Sequence, residues 1–151
     1  MKLHQLSVFL ENKPGRLSVP TKALADENIN IVTLSLADTE QFGILRLLVR
    51  HWEEGKKAVE NAGCVVNVTE VVAVDVPDRP GGLAEVLGVM EDAGINIEYM
   101  YAFTSRVGER AILVFRFENP DAAIKTLQKA GIEVVDQVEL YESVEETENE
   151  E

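Results

Sequence analysis

The chain has 151 residues, 46% of them hydrophobic and 27% charged, an ordinary globular balance. Its net charge of −13 disfavours polyphosphate and anionic-membrane partners, so nucleic acid and membrane binding are not expected. One cysteine, Cys64, excludes an internal disulfide, and no segment approaches eighteen apolar residues, so a cytoplasmic protein without a membrane span is expected.

Leu6, Val8 and Leu10 alternate like a half-buried strand, and Asn12-Lys13-Pro14-Gly15 breaks it. A helix is predicted from Arg16 to Glu27, with Leu17, Leu24 and Ala25 on one face. Pro20 is tolerable there only within the first turn, where amides lack intrahelical partners. Asn28 suits a left-handed stop. Strands follow at Ile31–Leu36 and Ile44–Val49 around a polar turn, then a helix Glu53–Ala62 stopped at Gly63, then a strand Cys64–Val68.

The same order then repeats. Val72, Val74 and Val76 alternate into Pro77-Asp78-Arg79-Pro80-Gly81. Leu83, Val86, Leu87 and Met90 carry the spacing of a core-facing helical stripe. Strands are read at Ile95–Phe103 and Ala111–Phe117, around a turn at Arg106-Val107-Gly108. Asn119-Pro120 starts a helix that ends at Gly131, and Ile132–Tyr141 reads as the last strand. Val65–Val76 has almost no breaker, so the last strand of the first copy should run nearly straight into the second copy. Six glutamates fall in the last ten residues; without them the body carries −7, and residues 142–151 read as a disordered acidic tail.

The repeat is also literal. Asn12-Lys13-Pro14-Gly15-Arg16-Leu17 returns as Asp78-Arg79-Pro80-Gly81-Gly82-Leu83, and Ile29-Asn30-Ile31 returns as Ile95-Asn96-Ile97. Pro14 and Pro80, like Asn30 and Asn96, stand 66 residues apart. One register for both phrases marks a duplicated unit. The fold class is therefore α+β: two ferredoxin-like βαββαβ units with antiparallel sheets and helices on one face, at residues 1–70 and 71–141.

A strand that ends in Asn/Asp-x-Pro-Gly and turns into a helix presents free amides at a helix N-terminus, a place for an anion such as a carboxylate. Gly15 and Gly81 leave the backbone open to a ligand. Asn12 offers donor and acceptor atoms, whereas Asp78 offers acceptors only and could hold an ammonium group. A plain tight turn is the competing reading for either loop alone, as a polar turn residue is for Asn30 or Asn96 alone.

The Pro-Gly-x-Leu loop and the Asn-Ile strand start, in this element order, resemble the ACT domain family, over nearly the whole chain as two tandem copies. The resemblance implies regulatory modules that bind small ligands, mostly amino acids, where two ACT units meet, the β1–α1 loop of one facing the second strand of the other. It implies ligand contacts at Asn12, Pro14, Gly15, Arg16 and Leu17, at Asp78, Pro80, Gly81, Gly82 and Leu83, and at Asn30-Ile31 and Asn96-Ile97. The loops differ, Asn12 against Asp78 and Arg16 against Gly82, so the two sites are chemically unequal. The chain leaves nothing over for the catalytic or DNA-binding domain to which many ACT domains are fused. The expectation is a stand-alone, non-catalytic regulator of a metabolic enzyme, homodimeric because small sheets with open edges pair.

Other constellations carry less. His4 and His51 lack metal-ligand spacing, Cys64 reads as a small buried hydrophobe, and Trp52 as a packing residue. No Ser-His-Asp grouping and no Gly-rich nucleotide motif occurs, and no cofactor or metal is expected. Tyr99, Tyr101, Phe103, Phe115 and Phe117 could form an RNA-stacking platform, but acidity favours core packing or pocket lining. Two rivals remain: a small ferredoxin-like enzyme built on Arg106, Glu109 and Arg110, and a ligand-independent oligomerisation module.

Overall fold

The computed structural model describes residues 1–103 and 110–149. The elements are β1 (Leu3–Glu11), α1 (Ser18–Asp26), β2 (Ile31–Asp38), β3 (Phe42–Val49), α2 (Trp52–Asn61), β4 (Val65–Pro77), α3 (Gly82–Asp92), β5 (Ile97–Ala102), β6 (Arg110–Phe117), α4 (Pro120–Lys129), β7 (Val134–Val135) and α5 (Gln137–Asn149). The contacts divide the chain into two compact units. The first is His4–Thr69; the second is everything from Glu70 onward together with Met1–Leu3. The boundary thus falls inside β4, which joins the two strands read separately from sequence.

In the first unit β1 and β2 both pair antiparallel with the central β3, in the registers Leu6↔Leu47 and Leu36↔Leu45. The start of β4 reaches β1 through Ser7 Oγ and Thr69 Oγ1, 3.1 Å apart. Alternate residues of β1 and β3 (Leu6, Val8, Leu10, Leu45, Leu47, Val49) meet Leu24 of α1 and Val59 of α2 in one core. Pro20 is the third residue of α1, inside the first turn, and is buried. His4 stacks on Trp52 with ring centroids 4.6 Å apart, and burial pushes the Cys64 thiol pKa up.

The second unit repeats the plan. β4 pairs with β6 on one side and β7 on the other, and β5 pairs with β6, all antiparallel. Its core joins Val72, Val74 and Val76 to Val86 and Met90 of α3 and to Ile124 and Leu127 of α4. Phe115 and Phe117 are fully buried and stack within this core, at 5.4 Å. The Asn119 side chain accepts from the Ala122 amide at 3.1 Å and caps α4, with Pro120 as its first residue. Lys2 ties the N-terminus to this unit through Glu70 at 2.8 Å and Asp121 at 3.2 Å.

The structure corrects three expectations. The strand predicted over Ile132–Tyr141 contracts to Val134–Val135, and α5 occupies Gln137–Asn149, where a strand end and an unstructured acidic run were expected. The cause is local: the Asp136 carboxylate accepts from the Glu139 amide at 3.0 Å, an N-cap, and the helix buries Leu140 and Tyr141. Burial pushes the Tyr141 hydroxyl up to about 12. Leu83 is 38% exposed and falls outside the core stripe of α3, Leu17 precedes α1 and is exposed, and Ala25 is exposed on α1. The turn at Arg106-Val107-Gly108, with Glu109, lies outside the described residues.

Gly82 is the tightest backbone approach in α3: a Cβ there would collide with the Pro77 carbonyl oxygen, whereas one at Gly88 meets nothing within 4 Å. Gly82→Ala should therefore lower unfolding stability by roughly 1–3 kcal/mol, and Gly88→Ala should raise it by about 0.5–1 kcal/mol; urea melts read both. At the start of α5, partial burial raises the Glu139 carboxyl above its ordinary range, as do the charges of Glu133, Asp136 and Asp75. A raised folded pKa makes the charged form a penalty, present at neutral pH and lost as pH falls through the ordinary glutamate range. Glu139→Gln should stabilise the fold at pH 7 by no more than about 0.5 kcal/mol, as befits an exposed position, and the gain should vanish below pH ~4; thermal melts across pH measure it.

Candidate functional site

Each strand-to-helix loop forms because the chain must leave a strand and enter a helix within a few residues. Gly15 (φ 83°) and Gly81 (φ 88°) take the left-handed bend that an L side chain rarely adopts. In the first loop the Asn12 amide donates to Gln41 O at 2.9 Å, Asn12 Nδ2 to Glu40 O at 3.5 Å, and the Arg16 amide to Lys13 O at 3.3 Å. The second loop closes alike, the Gly82 amide donating to Arg79 O at 3.0 Å. Because Gly82 fits against Pro77 where Arg16 stands in the first copy, α3 starts two residues earlier in the repeat than α1. Glu85 N then bonds Gly81 O in helical fashion at 3.0 Å, whereas its counterpart Val19 N makes a tighter turn to Arg16 O at 3.4 Å.

Three amides in each loop are left over. Among the described residues none accepts from the amides of Gly15, Leu17 and Ser18, nor from those of Gly81, Leu83 and Ala84. These are the same positions 66 residues apart. A Cβ at Gly15 would meet nothing within 4 Å. Leu17 and Leu83 stand beside the bare amides at 43% and 38% exposure. Asn12, Pro14, Arg16, Asp78 and Pro80 are exposed and Gly82 is buried. Their spacing matches a core stripe, whereas their repetition directly after the Pro-Gly bend, which marked both as candidate contacts, agrees with their exposure.

The structure brings each loop together but does not bring the Asn-Ile pieces to it. In the first unit the loop follows Glu11, beside Phe42, while Ile31 lies opposite Val49 at the far end of β3. In the second unit Pro77 is opposite Arg110, while Ile97 is opposite Phe117. At about 3.3 Å per residue, the seven residues of sheet between loop and strand start span roughly 23 Å within one unit, beyond the reach of one small ligand. Asn30 and Asn96 are exposed, Ile31 and Ile97 half-buried; the Glu118 amide donates to Asn96 O at 3.5 Å.

A separate cleft of about 350 Å³ opens in the second unit between α3 and the end of α4, lined by Asp75, Gly82, Glu85, Val89, Gly131 and Glu133 among others. The charges on its lining are all carboxylates, so it repels an amino-acid carboxylate. Of the candidate residues only Gly82 reaches it.

The family described as an ACT domain pair matches residues 1–144. A solved structure, protein BT0572 from Bacteroides thetaiotaomicron, is 41% identical, covering 93% of this chain and 96% of that one at a TM-score of 0.87. The ligand-free regulatory subunit of aspartate kinase from Thermus thermophilus shares the fold at 18% identity, covering 84% of this chain and 91% of that one at a TM-score of 0.60. The aspartate kinase of Clostridium acetobutylicum does so at 13% identity and a TM-score of 0.55, covering 85% of this chain and 33% of the enzyme. No curated protein matches. The chain belongs to the ACT domain pair family and is a tandem ACT regulatory domain.

Proposed function

We propose that this tandem ACT domain binds a small amino acid at its Pro-Gly loops and passes the occupancy to a metabolic enzyme, without catalysing a reaction itself. One observation carries the reading: among the described residues, nothing accepts from the same three amides at either helix start. Bare amides at the positive end of a helix accept an anion, here the α-carboxylate. Asn12 and Asp78, at the loop entrances, would hold the ammonium group. Leu17 and Leu83 would cover an apolar side chain, and the glycines let the ligand meet the backbone without a Cβ between them.

Neither Asn30-Ile31 nor Asn96-Ile97 can reach the loop of its own unit, so these contacts would come from another ACT unit closing over the ligand. Aspartate kinase, in whose regulatory subunit the fold recurs, is an enzyme of amino-acid metabolism, which fits a partner of that kind. A homodimer in the cytoplasm is the setting we assign. Regulation follows if the ligand binds one arrangement of ACT units better than another, since only differential affinity shifts an equilibrium.

A second reading, a ligand-independent assembly module, draws on Leu34 and Leu36. They stand 48% and 51% exposed on the edge strand β2, and an open apolar edge pairs readily. The two readings separate by experiment. A thermal-shift screen of the twenty amino acids should find at least one that stabilises the chain, by about 2.7 kcal/mol at 100 times its Kd. Gly15→Leu combined with Gly81→Leu should remove that shift while the protein stays folded by circular dichroism. No shift with any amino acid at millimolar concentration, with an oligomer indifferent to all of them, would leave the assembly reading standing.

A further inference from the structure

The apolar rows of the first unit run out to an open rim. Two of them cross its sheet on the helix-covered face, Leu6–Leu47–Leu34 and Val8–Leu45–Leu36. The first two members of each row are buried, whereas Leu34 and Leu36 stand half exposed. Among the described residues β2 pairs with β3 and with no other strand, and from Thr33 to Asp38 that pairing is regular. A regular, apolar rim is a template for a further strand. The second unit shows the same rows closed. There they read Val72–Phe115–Met100 and Val74–Leu113–Ala102. Met100 and Ala102 are the counterparts of Leu34 and Leu36, 66 residues on. Met100 is half-buried and packed on the core, and Ala102 offers little apolar surface. Glu98, ion-paired with Arg116 at 3.1 Å, also places a charge on β5, whereas no charged residue lies between Glu27 and Asp38. Charge on an edge strand opposes pairing with another chain. Net charge is divided likewise. Seven basic and eight acidic residues fall within His4–Thr69, so this unit carries −1 of the net −13 and the rest of the chain −12. Two copies of so acidic a chain repel one another least across their first units.

We propose that a second copy of this chain covers the open rim, β2 lying antiparallel against β2 about a twofold axis, and that the second unit takes no part in the contact. This rests on the homodimer assigned above and not on the ligand. A twofold contact sets one patch against itself, so the patch must complement its own image. With the two Ser35 residues opposite each other, Leu34 of each protomer faces Leu36 of the other, on the helix side of the sheet. Each row of one core then runs on into the other, and four leucines leave water together. The duplicated units would thus have parted company at their rims: one is kept apolar for assembly, the other is closed by Met100 and charged by Glu98.

The test is sedimentation equilibrium on the full chain, which should be a dimer in its natural sequence. Leu34→Glu alone and Leu36→Lys alone should each raise the dimer Kd at least about tenfold, because each charge enters the contact twice. Both changes in one chain set acid against base across the axis and should recover most of the loss, which a merely weakened fold would not do. Ala102→Lys, on the rim of the second unit, should leave the dimer unchanged. Ser35→Cys in a Cys64→Ser background should be joined to its partner by a short thiol cross-linker, a readout that needs no leucine variant to fold. A monomer throughout, a dimer indifferent to both leucine changes, no recovery on combining them, a dimer lost with Ala102→Lys, or no cross-link at Ser35→Cys overturns the proposal. A monomer that still gains stability from an amino acid loses this contact and keeps the ligand reading. A leucine-dependent dimer that responds to no amino acid keeps the contact and loses the ligand reading.

Discussion

A helix that starts directly after a strand must leave its first amides without helical partners, and among the described residues nothing else satisfies them at α1 and α3. The function proposed for the chain follows from that constraint. The glycine bend is what lets the chain turn quickly enough, and its missing side chain keeps the amides reachable. A longer connection could have folded back to cap them. At α4 the opposite solution is used, the Asn119 side chain filling the role that the loops at α1 and α3 leave open.

The energetic cost of three unpaired amides is modest while water can reach them, and it becomes a gain when an anion replaces that water. Stability is supplied elsewhere. Each unit has its own closed apolar core, drawn from alternate strand residues and two helices, so the loops can stay unsatisfied without endangering the fold. The division of labour is local: strands and inner helix faces hold the unit together, and in the proposed function the helix starts are left for recognition.

Much of this was legible in the sequence because it is written in short-range signals. Pro14-Gly15 and Pro80-Gly81 mark the bends, Asn119-Pro120 marks a helix start, and Val72, Val74 and Val76 alternate as a buried strand must. Two features resisted. Residues 137–149 alternate apolar and polar weakly enough to read as strand followed by tail, and the deciding event is one side-chain cap from Asp136 together with burial of Leu140 and Tyr141 against the unit. Leu17 and Leu83 obey core spacing yet lie outside, since periodicity reports the face of a helix and not whether its first turn has cleared the sheet. The Pro-Gly bends were readable, but the different starts of α1 and α3 were not, because they turn on how closely Gly82 approaches the Pro77 carbonyl.

The length of the sheet between the bend and the Asn-Ile pair has one more consequence. Groups so far apart, with no common neighbour, behave as thermodynamically independent positions, and their substitutions add within a few tenths of a kcal/mol. Change at one pole of a unit can therefore accumulate without compensating change at the other, and drift of the second bend away from the first need not disturb either Asn-Ile strand start.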